Sequence, residues 1–206
     1  MHPNPAFRGT ETETSLAFAR ERGFGLLVLN GLETPLLAHV PFLVAADGAS
    51  VDLHLARSNP IARAVGAQAQ AALAVVGPDG YISPDWYGVP DMVPTWNYVA
   101  VHLIGTLERL PDDAMHDMLV RQSAAFEARL APKLPWTLSK MSGEALARLM
   151  RMIVPFRLTI DDVQSTWKLS QNRTEDARLA AAAGLEDAGF GQETEELARM
   201  MRDLPE

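Results

Sequence analysis

The sequence predicts a mainly β, α+β fold organised as an antiparallel barrel, and three observations carry that reading. Short runs rich in leucine and valine follow one another through the first half of the chain, and Asn30-Gly31 and Asp47-Gly48 punctuate them as hairpin-turn dipeptides. Few helical stretches interrupt the strands, as in meanders that close on themselves. No Gly-x-Gly-x-x-Gly follows a strand, so a doubly wound dinucleotide-binding sheet has no support.

Thr10-Glu11-Thr12-Glu13 has the form of a capping box, with Leu16, Ala17 and Ala19 following before Gly23, which predicts a first helix over 11–22. Strands are expected at 24–29, 36–44 and 51–56. Ser58-Asn59-Pro60 opens a short helix that ends near Gly66, because Ser or Asn caps free amides and proline at the first helical position loses no hydrogen bond. Two more strands are read at 71–76 and 80–83, then a proline-rich loop over 84–94 and a longer strand over 97–107. Pro111-Asp112-Asp113 starts a helix running to about 130, and a second helix spans 142–152 after the break at Leu134-Pro135-Trp136. A last strand over 153–160 precedes helices at 175–184 and 192–203. The domain boundaries expected are 1–173 for the barrel, with a helical insertion at 111–152, and 174–206 for an acidic C-terminal helical extension.

The 206 residues carry a formal charge of −8 and contain no cysteine. Disulfides, thiolate nucleophiles and cysteine-ligated metal sites are thereby excluded. Nine acids and three bases fall in 174–206, so the acidity is concentrated there and the rest is nearly neutral. Nucleic-acid affinity draws heavily on Lys and Arg neutralising phosphates, and no basic stripe is present, which makes direct DNA binding an unfavourable reading. Met1 to Ser15 holds no apolar signal core, and Gly25 to Leu29 is too short to cross a bilayer, so a cytoplasmic protein is expected.

Two polar clusters carry the chemistry. Lys168-Leu169-Ser170-Gln171-Asn172-Arg173 supplies two cations, a hydroxyl and two amides after an apolar segment, and Trp96 and Tyr98 flank Asn97 at the start of a strand. Aromatic faces beside convergent donors suit a flat, heteroatom-rich ligand with an anionic tail. Arg57 and Ser58 beside Asn59 add a cation and a hydroxyl at a helix start, where a phosphate would sit; plain capping is the competing role. Of the strand histidines 39, 54 and 102, His39 ahead of Pro41 is the candidate ligand contact, and no histidine spacing predicts a metal site. Neither a Gly-x-Ser-x-Gly elbow nor a phosphate-binding Gly-x-x-x-x-Gly-Lys loop is present.

Taken together, His39-Val-Pro41, Ala56-Arg57-Ser58-Asn59-Pro60, Tyr81-Ile82-Ser83-Pro84-Asp85-Trp86-Tyr87, Pro94-Thr95-Trp96-Asn97-Tyr98 and Lys168–Arg173 resemble the PaiB family, described as FMN-binding negative transcriptional regulators. The resemblance runs over nearly the whole chain. It implies a flavoprotein with a split β-barrel, usually a homodimer with FMN held where subunits meet. By that resemblance Arg57, Ser58 and Asn59 hold the FMN phosphate, while Trp96, Asn97, Lys168, Ser170, Gln171, Asn172 and Arg173 approach the flavin. The function so implied is a flavin-dependent sensor or transcriptional regulator. The alternatives are an FMN-dependent oxidoreductase using a nicotinamide donor and a haem-binding split-barrel protein, and no catalytic residue is nominated.

Overall fold

The computed structural model describes residues 1–205. Helix α1 (Thr12–Arg22) leads into three antiparallel strands, β1 (Phe24–Leu29), β2 (Leu36–Val44) and β3 (Ser50–Ala56), and then into the short helix α2 (Pro60–Ala64). Alternation drives these strands: β2 buries Ala38, Val40, Phe42 and Val44 and turns the residues between them outward. Asp47-Gly48 makes the β2–β3 turn as read from the sequence, with the Asp47 carboxylate accepting from the Ala49 amide at 3.0 Å.

Two strand readings need correction. The runs expected at 71–76 and 80–83 form one strand, β4 (Gln68–Ile82), which passes straight through Gly77-Pro78-Asp79-Gly80. Part of that turn-like segment gains a partner from far along the chain, since Asp79 pairs with Gln192 and Gly80 with Gly191. Strand β5 (Thr95–Arg109) matches its expected position, followed by helices α3 (Ala114–Glu127) and α4 (Gly143–Met150). Strand β6 (Ile153–Lys168) does not stop near 160 but continues through Asp161-Asp162-Val163-Gln164. Both faces of that stretch are largely exposed or half-buried, so no apolar alternation marks it. Helix α5 (Glu175–Ala188), the two-residue strand β7 (Gly191–Gln192) and helix α6 (Thr194–Arg202) complete the chain.

The strands are ordered β1-β2-β3-β6-β5-β4-β7, and β1 also pairs with β4, so the first six close into an antiparallel barrel. The chain forms two compact units: one comprises Met1–Phe18, Val75–His102 and Val163–Glu206, the other Ala19–Ala74 and Leu103–Asp162. In the second unit Leu27, Phe42, Leu53, Leu73, Phe156 and Leu158 make the core with Met115 and Met118 of α3. Each such side chain contributes about 1.5–3 kcal/mol on burial. In the first unit Val99, Val101 and Trp167 are buried, as are Ala181, Leu185, Leu197 and Met201 of α5 and α6. Gly184 of α5 admits the Trp86 ring, since a Cβ there would stand 2.5 Å from it. The guanidinium of Arg178, itself buried, caps the end of α6 by donating to the carbonyls of Met201 and Arg202.

In the second unit α3 is anchored by polar groups as well as methionines. His54 Nδ1 lies 3.0 Å from Gln122 Oε1, and Gln122 Nε2 donates to the Asp52 carbonyl at 3.1 Å. Burial holds the His54 pKa below its usual 6.5, against the smaller upward pull of the Gln122 hydrogen bond. The unfolded chain therefore binds the proton more readily. Stability from neutral His54 is complete above pH 6.5 and is lost as pH falls through the lowered folded value. Thermal melts of wild type and His54→Asn at pH 7 and pH 5 are expected to show a smaller acid-side drop in the variant. His102, also held low mainly by burial, retains its share in both proteins.

Candidate functional site

The first unit gathers five of the eleven candidate residues, Asn97, Lys168, Ser170, Asn172 and Arg173, around one small hollow. Strand β5 begins at Thr95, and its alternation sends Asn97 inward, where it is fully buried. Its Nδ2 donates to Ser170 Oγ at 2.9 Å and to Met201 Sδ at 3.4 Å. Ser170 Oγ in turn lies 2.9 Å from the hydroxyl of Tyr87, which the one-turn 3₁₀ helix Pro84–Tyr87 delivers from the proline-rich loop. Ser170 holds a left-handed backbone conformation, φ 62°, which serine rarely adopts and which persists where surrounding contacts impose it. Asn97 Oδ1 is buried yet has no hydrogen-bond partner among the described residues. Such an unmet acceptor costs about 1–3 kcal/mol.

Two cations border this network. Lys168, the last residue of β6, reaches Thr95 Oγ1 and lies 5.9 Å from the centre of the Phe7 ring. Burial, and then repulsion from Arg173, push its pKa below the ordinary lysine value. The Arg173 guanidinium stands 5.9 Å from the centre of the Tyr87 ring. The hollow has a volume of about 150 Å³, and Tyr87, Thr95, Asn97, Lys168, Ser170, Asn172 and Arg173 supply its polar lining. It presents neither histidine nor carboxylate among its lining residues.

Not every candidate lands there. Gln171 is spent on its own turn, with Oε1 accepting from the Leu169 amide and Nε2 donating to the Trp167 carbonyl. Trp96 neighbours Asn97 on a strand and so faces the opposite way, where it is exposed and forms a ring cluster with Tyr81 and Phe190. The sequence reading had no signal for Phe7, whose ring closes one side of the hollow from a single 3₁₀ turn near the N-terminus.

His39, Arg57, Ser58 and Asn59 belong to the second unit. Arg57 lines a separate hollow of about 600 Å³, but its guanidinium is already engaged by Asp112 at 3.0 Å and by the carbonyls of Arg151 and Ile153. Asn59 takes the capping role, its Oδ1 accepting from the Ile61 amide at 2.9 Å, and Ser58 is exposed in the preceding turn. His39 is exposed on β2 and stacks on Phe24 at 6.3 Å. No group of three or more histidines, acids or cysteines positioned for a metal occurs among the described residues. Nor is any described helix long and apolar enough to cross a membrane.

Residues 1–162 match the family described as "Putative FMN-binding domain". The chain is 33% identical over 171 residues to the Protease synthase and sporulation protein PAI 2 of Bacillus subtilis, covering 82% of this chain and 81% of that protein. Among solved structures, the FAD and heme binding protein from Mycobacterium smegmatis superposes with a TM-score of 0.58 at 21% identity, over 90% of this chain and 82% of that one. The flavocytochrome Anf3 from Azotobacter vinelandii does so with a TM-score of 0.59 at 16% identity, over 84% and 72%. At such identities the two structures establish the shared split-barrel fold.

Proposed function

Since the chain belongs to the PaiB family of FMN-binding domains, with FMN as its cofactor, we propose that the hollow bordered by Asn97, Lys168 and Arg173 contacts the flavin and that the protein acts as a flavin-dependent sensor or regulator. The observation that carries this reading is the buried Tyr87–Ser170–Asn97 network, held by a strained Ser170 beside two cations. A flavin offers carbonyl oxygens and ring nitrogens to the donors of Lys168, Asn172 and Arg173, so the donor set fits. When bound, the flavin supplies hydride and electron chemistry, and the protein supplies binding, orientation and electrostatics.

Each residue then has a defined task. Asn97 and Ser170 fix the inner wall; Lys168 and Arg173 supply positive charge at its mouth; Phe7 limits access of water. The hollow is smaller than the roughly 300–1,000 Å³ of ligand pockets, so the remainder of the cofactor lies outside it. A homodimer, with the partner covering that remainder, is part of the same proposal. Regulation is assigned to a protein partner rather than to direct DNA contact, because the chain carries a formal charge of −8.

Titration of the purified chain with FMN is expected to give saturable quenching of flavin fluorescence in the micromolar range. Lys168→Ala and Arg173→Ala are each expected to weaken binding about tenfold or more, the usual consequence of losing a hydrogen bond to a charged group. Unchanged affinity in both would remove the hollow from the flavin site. Arg57→Ala, measured alongside, tests the phosphate role assigned to Arg57, Ser58 and Asn59. Bleaching of the bound flavin by NADH or NADPH would instead move the reading to an oxidoreductase.

A further inference from the structure

Building on the flavin reading above, we propose that the hollow recognises the imide edge of the isoalloxazine, its N–H between two carbonyls, and not the phosphate. The Asn97 side chain is fully buried, and both its amide contacts are made through Nδ2, to Ser170 Oγ and Met201 Sδ. Rotating the amide by half a turn would let Oδ1 accept from the Ser170 hydroxyl, but it would also set Oδ1 against the Met201 thioether, which has no proton to give. The orientation that keeps both contacts leaves Oδ1 as an acceptor awaiting a donor.

An ionised phosphate has only acceptor oxygens and would place negative charge against that oxygen. A cyclic imide offers the reverse pattern, one donor flanked by two acceptors. The donor answers Asn97 Oδ1, and the two carbonyls answer the cationic and amide donors that line the same hollow, Lys168, Asn172 and Arg173. About 150 Å³ admits one six-membered ring edge and excludes a tricyclic ring with its ribityl phosphate. Lys168 gives one N–H to Thr95 Oγ1, which leaves two for a ligand carbonyl.

The test uses the full chain and three probes, FMN, riboflavin and FMN methylated at the imide nitrogen, followed by fluorescence quenching and equilibrium dialysis. Wild type is expected to bind the methylated flavin at least about tenfold more weakly than FMN, because the site is built to pair an N–H. In Asn97→Leu the two should bind within about twofold of each other, since the acceptor that discriminates them is gone. Should that variant fail to fold, the wild-type comparison stands by itself. A second measurement, the imide proton of ¹⁵N-labelled FMN, is expected to be protected from solvent exchange in the complex. Equal wild-type affinity for FMN and its methylated form, or an imide proton that exchanges freely, overturns the proposal while leaving flavin binding intact. Free uracil that competes with FMN would support it by showing that the edge is read without the rest of the cofactor. If none of the flavins binds, the underlying reading falls along with it.

Discussion

Replacing Gly105 with alanine is expected to destabilise the protein by about 3 kcal/mol or more, a drop in melting temperature of roughly 6–12 °C for a chain of this size. A Cβ at this position would lie 1.8 Å from the Thr159 carbonyl oxygen, 2.9 Å from its carbon and 3.1 Å from the Asp161 amide nitrogen. All three atoms are backbone, so no side-chain rotamer relieves the clash, and β5 and β6 must part where they are adjacent in the sheet. Gly143→Ala is the matched control, because a Cβ there meets nothing within 4 Å. Its melting temperature is expected to stay within about 2 °C of wild type. Similar melts for the two variants would show that β5 and β6 do not approach as closely as described.

Asp52→Ala is the second large effect, with an expected loss of about 2–3 kcal/mol. The carboxylate is 6% exposed and accepts from Arg157 Nε at 2.7 Å, Arg157 Nη2 at 3.0 Å and Arg121 Nη2 at 2.8 Å. Breaking a fully buried pair costs more, but the arginine side chains are 43% and 41% exposed and recover hydration. Burial pushes the Asp52 carboxyl upward, yet the hydrogen bonds and charges of Arg157 and Arg121 outweigh it and hold the pKa below 3.8. A depressed carboxylate pKa stabilises the fold above 3.8, and the contribution is lost as pH falls through the folded value. The stability gap between wild type and Asp52→Ala, read from urea unfolding, should therefore be constant near neutrality and narrow only below about pH 4. A gap that narrowed between pH 7 and pH 5 would assign the effect to another group.

Much of the barrel was legible because its early strands are short leucine- and valine-rich runs set off by turn dipeptides. The ranges expected at 24–29 and 36–44 match the strands Phe24–Leu29 and Leu36–Val44. The strands that were cut short, β4 and β6, run through glycine, proline and acidic residues that gain order from pairing with distant segments. Local pattern cannot report such pairing. The resemblance to the PaiB family likewise named residues without dividing them by face. Lys168, Ser170, Asn172 and Arg173 share one hollow with Asn97, whereas Gln171 braces its own turn and Trp96 points to the other side of β5.

Composition, turn dipeptides and local periodicity determined, from the sequence by itself, that this is a cysteine-free, acidic, strand-rich chain with two polar clusters, because those properties depend on near neighbours. Tertiary structure alone decided that Tyr87, Asn97 and Ser170 form one buried network, that Asn97 keeps an unmet acceptor, and that Arg57 is held by Asp112. These contacts join residues separated by 55 to 83 positions. Their hydrogen bonds exist only once barrel closure brings the strand ends and loops within about 3 Å.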